Sequence, residues 1–261
     1  MSKYIYYIIA FVLAGLAAGC GTSKNTKAHR AYHALNSRYN IYYNGKTSFD
    51  ESLVAMEKGY KESYTEMILM HAVSALPKDK PNTGGPFDRA IEKGNKAIKL
   101  HSIQTKPTRK PGWRNNPKLV AYYEQEEYNP FLKRCWMMVG EGQFYNGDFL
   151  QASSTFSYIA RHYATDAQMV AAARIWQARC YAELDWLYEA EDILRKLDNQ
   201  GLPPSERTHY DAAYAAYLLK NQQFEEAIPY LESAIKAKGS KLQRTRMKYL
   251  LGQLYAEQGL D

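Results

Sequence analysis

Three groups of residues in this sequence have types and spacing that could support chemistry. Residues 140–142, Gly-Glu-Gly, could begin a glycine-rich loop that binds phosphate. His29 and His33 stand four residues apart, so one face of a helix could present both to a metal ion. In residues 106–118 five basic side chains surround Trp113, a mixture that can bind single-stranded nucleic acid.

The neighbouring residues favour none of these chemistries. A dinucleotide-binding loop needs a third glycine three residues after the second, where this chain has Tyr145, and it needs a preceding strand. His29 and His33 lack the glutamate of the H-E-x-x-H motif and have no obvious third ligand. No serine, histidine and acid can be grouped from the sequence. We therefore expect no enzyme activity, no cofactor or metal, and no nucleic-acid or small-molecule ligand.

The N-terminus has the pattern of an export signal. Residues 4–18 form an apolar run of 15 residues after Lys3, shorter than the roughly 20 residues that span a bilayer. Small residues at 17–19 precede Cys20, and this resembles a bacterial lipobox. The resemblance implies a signal peptide over residues 1–19, lipid on Cys20, and a polar tether over residues 20–27. Gly21 favours the outer membrane. The alternative is a secretory signal or uncleaved anchor with an incidental cysteine.

The rest of the chain must be read through an internal repeat, because small and bulky residues recur at a fixed period. Ala152, Ala190 and Ala227 are 38 and 37 residues apart, and a small residue stands twelve positions before each. The pattern resembles the tetratricopeptide repeat (TPR), in which helices A and B of each unit pack closely through small residues. Gly147 is expected to end a helix A and Asp148 to cap the following helix B. The predicted packing residues are Trp136, Gly140, Ala152, Phe156, Ala178, Tyr181, Ala190, Ala215, Ala227 and Gly252.

These patterns predict an all-α protein with a TPR-like array of helical hairpins behind the signal peptide. Residues 28–103 would be a degenerate repeat, with helices over 28–43 and 48–71 joined by a turn at residues 44–45, and a third helix over 88–103 capped by Asp88. Residues 104–128 would be a basic, proline-rich exposed loop. Residues 129–261 would be the repeats. A fourth helix A is predicted over residues 246–259, with no helix B after it. Either this helix is a terminal cap, or the sequence is a fragment of a longer protein, and Gly252 favours the fragment.

The array is expected to bind protein partners on a concave surface lined by its A helices. Charge is uneven, since between residues 21 and 134 the chain has 20 basic and 11 acidic side chains. The basic segment could meet anionic lipid, peptidoglycan or an acidic protein, or could simply be solvated. The three cysteines form no C-x-x-C pair, and Cys135 and Cys180 fit buried helix positions better than a disulfide. The partner-binding positions predicted from spacing are Lys133, Met137, Gln143, Arg174, Tyr210, Tyr217 and Lys248.

Three longer stretches are similar to one family. They are "NTKAHRAYHALNSRYNIYYNGKTSFDES", "DRAIEKGNKAIKLHSI" with the following "KPTRK", and "NPFLKRCWMMVGEGQFYNGDFLQASSTFSYIARHY". They resemble the N-terminal part of the PorW/SprE family, the tetratricopeptide lipoproteins of the Bacteroidota type IX secretion and gliding apparatus. The resemblance implies an outer-membrane lipoprotein that faces the periplasm and links subunits of a secretion complex. The alternatives are an adaptor for a cell-envelope hydrolase or a factor for outer-membrane protein assembly.

Overall fold

The computed structural model describes residues 22–78, 84–236 and 240–259, and in these ranges every regular element is helical. The predicted signal peptide and Cys20 lie outside the described residues. None of the described helices is both long and apolar enough to cross a bilayer. The helices are α1 (Lys27–Asn36), α2 (Tyr43–Gly59), α3 (Asp88–His101), α4 (Pro117–Glu124), α5 (Leu132–Tyr145), α6 (Phe149–His162), α7 (Ala167–Glu183), α8 (Leu187–Asn199), α9 (Arg207–Lys220), α10 (Phe224–Ile235) and α11 (Lys241–Glu257).

The predicted array of helical hairpins is confirmed for α5 to α11. Helices α5, α7, α9 and α11 are the A helices, and α6, α8 and α10 are the B helices. Helices α5, α7 and α9 each pack on the B helix that follows them, α10 packs on α11, and successive A helices from α5 to α9 also touch. We call the surface built from the A helices the A face. The fold is therefore an all-α array of TPR-like pairs.

Each A helix that is followed by a B helix ends in the same backbone turn. The turn residue has a positive φ in all three units: +88° at Gly147, 59° at Asp185 and 58° at Gln222. Its amide and the next one donate to carbonyls three and five residues earlier, as Gly147 does to Phe144. These turn positions are 38 and 37 residues apart, the same spacing as the three alanines. The period is thus a property of the backbone as well as of the sequence.

Most of the predicted packing residues occupy the interfaces between helices. The alanines at 152, 178, 190, 215 and 227 are almost fully buried, as is Phe156. A Cβ on Gly140 would lie 2.7 Å from the ring of Phe156, so only glycine allows this approach of α5 and α6. Trp136 and Tyr181 are half-buried. Gly252 departs from the prediction, because it is exposed and, apart from its chain neighbours and the backbone of its own helix, no described atom lies within 4 Å of a Cβ placed there.

The N-terminal helices differ from the prediction. Helices α1 and α2 are joined by a π-helical turn over Ser37–Tyr42, so the expected turn at residues 44–45 is wrong. Gly45 instead lies inside α2, where a Cβ would be 2.9 Å from the Cβ of Lys93 and 2.8 Å from Cε of Met138. Its small size therefore serves close packing on α3 and α5. The helix also ends at Gly59 and does not continue to residue 71.

Helices α2 and α3 pack as a further pair in front of the array, and α3 packs along α5. Asp88 is the first residue of α3, not its N-cap, and accepts hydrogen bonds from the Gly85 amide and the Asn146 side chain. Gly142, for which the repeat pattern gives no role, admits α3, since a Cβ there would be 2.8 Å from Ile91. The glycines of residues 140–142 are thus packing residues on two sides of α5.

The basic segment is more ordered than the predicted loop. Lys106, Lys110 and Lys118 are exposed, but a 3₁₀ turn forms at Trp113–Asn115 and helix α4 follows it. The guanidinium groups of Arg109 and Arg114 lie 4.8 and 5.2 Å from the Trp113 ring centroid. The aromatic and basic residues that suggested nucleic-acid binding therefore contact one another within the chain.

Candidate partner-binding groove

A depression on the A face lies where α2, α5 and α7 meet. Its volume is about 370 Å³. The junction of α1 and α2 forms one wall, α5 forms the floor, and the beginning of α7 forms the other wall. We call it the open groove. It is lined by Tyr42, Lys46, Lys133, Arg134, Met137, Met138, Glu141, Asp166, Gln168, Met169, Ala172 and Glu206.

The floor of the groove carries charged and methionine side chains, and an ion pair joins it to one wall. Lys133 Nζ lies 2.8 Å from Asp166 Oδ2 and so connects α5 to the start of α7. Asp166 also caps α7, since its Oδ1 accepts from the Met169 amide at 3.1 Å. Burial tends to raise the pKa of Asp166, but the hydrogen bonds from Lys133 and Met169 outweigh it and lower that pKa. Asp166 therefore stays ionised at neutral pH.

Glu141 is the titratable group of the groove floor. Burial raises the pKa of its carboxyl to about 7, and the positive charges of Lys46 and Arg179 offset only part of that effect. The carboxyl can therefore change its charge near neutral pH. Across the groove Gln168 Nε2 donates to Glu206 Oε1 at 3.0 Å. The site combines both signs of charge with methionine side chains, which adapt to varied partner shapes.

The structure distributes the predicted partner-binding residues over three settings. Lys133 and Met137 line the open groove. Arg174 lines a separate depression between α7 and α8, and Lys248 is exposed on α11. The prediction is wrong for three residues, which are buried because an A helix packs on two sides and leaves only a narrow outer strip: Gln143, Tyr210 and Tyr217.

The polar groups of these buried residues have partners inside the array. Gln143 Oε1 accepts from the Thr155 hydroxyl at 2.7 Å, and Tyr210 donates to the Leu194 carbonyl at 3.2 Å. Tyr217 packs in the core between α7, α8 and α9. They hold neighbouring helices together.

A segment that the sequence reading missed covers much of the A face. Residues 60–78, here called the strap, follow α2 and run over α7, α9 and α11. Ile68, Met70 and Val73 are at least 94% buried against these helices and α5. Their apolar character was visible in the sequence, but Ile68 and Met70 were assigned to the predicted helix over residues 48–71, and Val73 was assigned to no element.

Side chains of the A helices hold the strap by its main chain and its polar groups. The amide of Gln253 accepts from the Ile68 N–H at 3.0 Å and donates to the Glu66 carbonyl at 2.9 Å. Ser74 donates to Glu183 at 2.7 Å, and Glu183 also pairs with Lys220. The strap thus lies across α7, α9 and α11, and the open groove is a part of this face that it leaves uncovered.

The other chemistry-bearing residues are not brought together. His33 is buried with its Nδ1 2.8 Å from Nδ1 of His101, whereas His29 contacts Thr26. Within the described ranges no cluster of three His, Cys, Asp or Glu side chains could hold a metal ion. Cys135 and Cys180 are free and buried, and burial raises the pKa of Cys135 to about 12.

The fold and its grooved face define an α-helical repeat protein of the TPR-like class. The sequence matches no protein-family model, and no curated protein is significantly similar to it.

Proposed function

We propose that this protein is a non-catalytic scaffold that binds protein subunits of the type IX secretion and gliding machinery. It would be anchored by lipid on Cys20 to the outer membrane and face the periplasm. The proposal combines the resemblance of three sequence stretches to that family with one structural observation, the open groove on the A face. A shallow, mixed-charge depression on a rigid helical array suits a protein segment better than a small substrate.

The lining of the groove supports a protein ligand. Binding interfaces are enriched in methionine and arginine at their centres, with polar residues around them. The half-buried Met137 provides adaptable apolar area beside the exposed side chain of Arg134. Lys133 and Asp166 form a charged rim that can select the orientation of a partner.

The proposal can be tested by affinity purification of the tagged full-length lipoprotein from its own membranes. Arg134→Glu reverses one exposed charge of the groove, and Arg195→Glu makes the same change on the exposed side of α8, away from the groove. We expect secretion-machine subunits to co-purify with the native protein and the Arg195 variant and to be lost with the Arg134 variant. Recovery of an envelope hydrolase or of an outer-membrane barrel insertase would contradict the proposal.

The anchor and the cellular role need their own measurements. Labelled palmitate should be incorporated by the native protein and not by Cys20→Ser; unchanged labelling would exclude lipid on this residue. A deletion strain should lose exported proteins, and normal export would argue against a role in secretion.

A further inference from the structure

A second pocket on the A face lies beside the strap and shares no residue with the open groove. It has a volume of about 180 Å³ and is bounded by α5, α7, α9, α10, α11 and one strap residue, His71. The exposed side chain of His209 lies at its edge. The lining residues that matter for the inference are His71, Trp176, Arg179, Thr208 and Gln243.

Two buried nitrogen atoms of this lining have no hydrogen-bond partner among the described residues. They are Nε2 of His71 and Nη2 of Arg179. His71 is 93% buried, and its other ring nitrogen lies 3.0 Å from the side-chain nitrogen of Gln243. Since an amide nitrogen can only donate, His71 accepts at Nδ1 and carries its proton on Nε2. Both orphan nitrogens are therefore N–H donors, and buried donors of this kind ordinarily have an acceptor.

The arginine is fixed in place. Its guanidinium carbon lies 4.1 Å from the ring centroid of Trp176 and 4.7 Å from that of Phe144. Among the described residues no carboxylate oxygen lies within 4.0 Å of its nitrogens, and the charge of Glu141 acts on it only from a greater distance. A rigid, partly buried guanidinium without a direct counter-ion is a ready site for an anion.

The surroundings of the pocket are positive. Burial, and then the charges of Arg179, Arg246 and Lys220, hold the pKa of His71 well below its usual value, so the ring is neutral at pH 7. Arg246 is paired with Glu62, and Lys220 is paired with Glu183 at 2.7 Å. Arg179 is therefore the cation whose charge the described carboxylates neutralise least.

We propose that this pocket binds an oxyanion, with the guanidinium of Arg179 and the Nε2–H of His71 as donors and the Thr208 hydroxyl as a third. The planar fork of arginine fits the two oxygens of a carboxylate or of a phosphate equally well. This inference rests on the proposed scaffold function, because the pocket would anchor a carboxylate of a protein partner beside the open groove. Binding of a free anion needs no partner, so the two proposals can fail separately.

The test is a titration of the full-length protein, purified in detergent, with inorganic phosphate and with acetate. The ring resonances of His71 should shift and saturate with at least one of the two anions. If acetate binds more tightly than phosphate, the source is a carboxylate; the reverse order indicates a phosphate group. Absence of a saturating His71 shift with both anions would overturn the proposal without any variant.

Two matched substitutions on α7 then assign the donor. Arg179→Gln removes the charge from the pocket wall, and Arg174→Gln removes one from the same helix at a residue that faces a different depression. We expect the first to weaken binding about tenfold or more, since hydrogen bonds to charged groups are among the strong ones, and the second to leave it unchanged. Equal weakening by both would show general charge attraction. Arg179→Lys, which keeps the charge without the fork, should bind with intermediate affinity if Arg179→Gln fails to fold.

Discussion

Replacement of Gly140 by alanine tests whether steric closeness of α5 and α6 organises the first repeat. In a helix interior this change alone stabilises by about 1 kcal/mol. At Gly140, however, the new Cβ would lie 2.7 Å from the ring of Phe156, roughly 1 Å inside an ordinary carbon–carbon contact. The ring cannot yield freely, because Phe156 is fully buried and stacked on Trp176 at 5.6 Å. Overpacking of this kind costs about 1–3 kcal/mol, so the net change should be a loss of up to about 2 kcal/mol.

The matched control for Gly140→Ala is Gly252→Ala, the same change at the equivalent A-helix position on α11. No described atom beyond its chain neighbours and its own helix backbone lies within 4 Å of the new Cβ, so only the helix-propensity gain of about 1 kcal/mol remains. Urea unfolding followed by tryptophan fluorescence and circular dichroism should separate the two variants by about 1–3 kcal/mol. In a Phe156→Leu background the cost of Gly140→Ala should shrink. Equal stabilisation by both alanines would refute the steric explanation.

Three further predictions concern a turn, the groove and the strap. Gln222→Gly should stabilise by about 0.5–1 kcal/mol in urea unfolding, because glycine relieves the left-handed conformation at φ 58°; a loss of stability would contradict this. Because the pKa of Glu141 is raised to about 7 in the folded protein, the free energy of unfolding should fall as the pH rises from about 4.5 to 7. Glu141→Gln should remove roughly 1–3 kcal/mol of that fall, measured as the unfolding midpoint against pH. An unchanged pH profile in this variant would show that Glu141 does not cause the fall. Ile68→Ser should speed amide exchange in the strap, whereas Leu69→Ser, at a 37% exposed neighbour, should not; equal exchange in both would show that burial of Ile68 does not hold the strap.

The sequence predicted the repeats because their signal is local and periodic. The spacing of Ala152, Ala190 and Ala227 follows from the close approach of each B helix to its A helix, which restricts side-chain size at one position per unit. The turns were only partly predictable. Gly147 indicated a left-handed residue by its type, whereas Asp185 and Gln222 adopt the same conformation without that signal. Their positions could have been found only by extending the period from Gly147.

The strap, the open groove and the pocket around Arg179 were not predictable from periodicity, because the contacts that build them join residues far apart in sequence. Ile68 binds Gln253, 185 residues away, and no local pattern marks either as a partner of the other. The errors at Gln143, Tyr210 and Tyr217 have a related cause. Helical spacing indicates which residues share a face, but not how many faces of an A helix its neighbours cover. The packing of neighbouring helices in the array determines how many faces are covered.

The strap also determines which part of the A face can serve a partner. Its main chain is held through both ends of the Gln253 amide. Ile68 and Met70 fill apolar surface of the C-terminal repeats, and Val73 fills apolar surface between α5, α6 and α7. A partner that used this surface would first have to release those buried side chains, at a cost of about 1.5–3 kcal/mol each. The open groove carries no such penalty, because no described residue covers it. Under the proposed scaffold function, partners are therefore expected to bind across α2, α5 and α7, with the proposed anion pocket around Arg179 lying beside the strap.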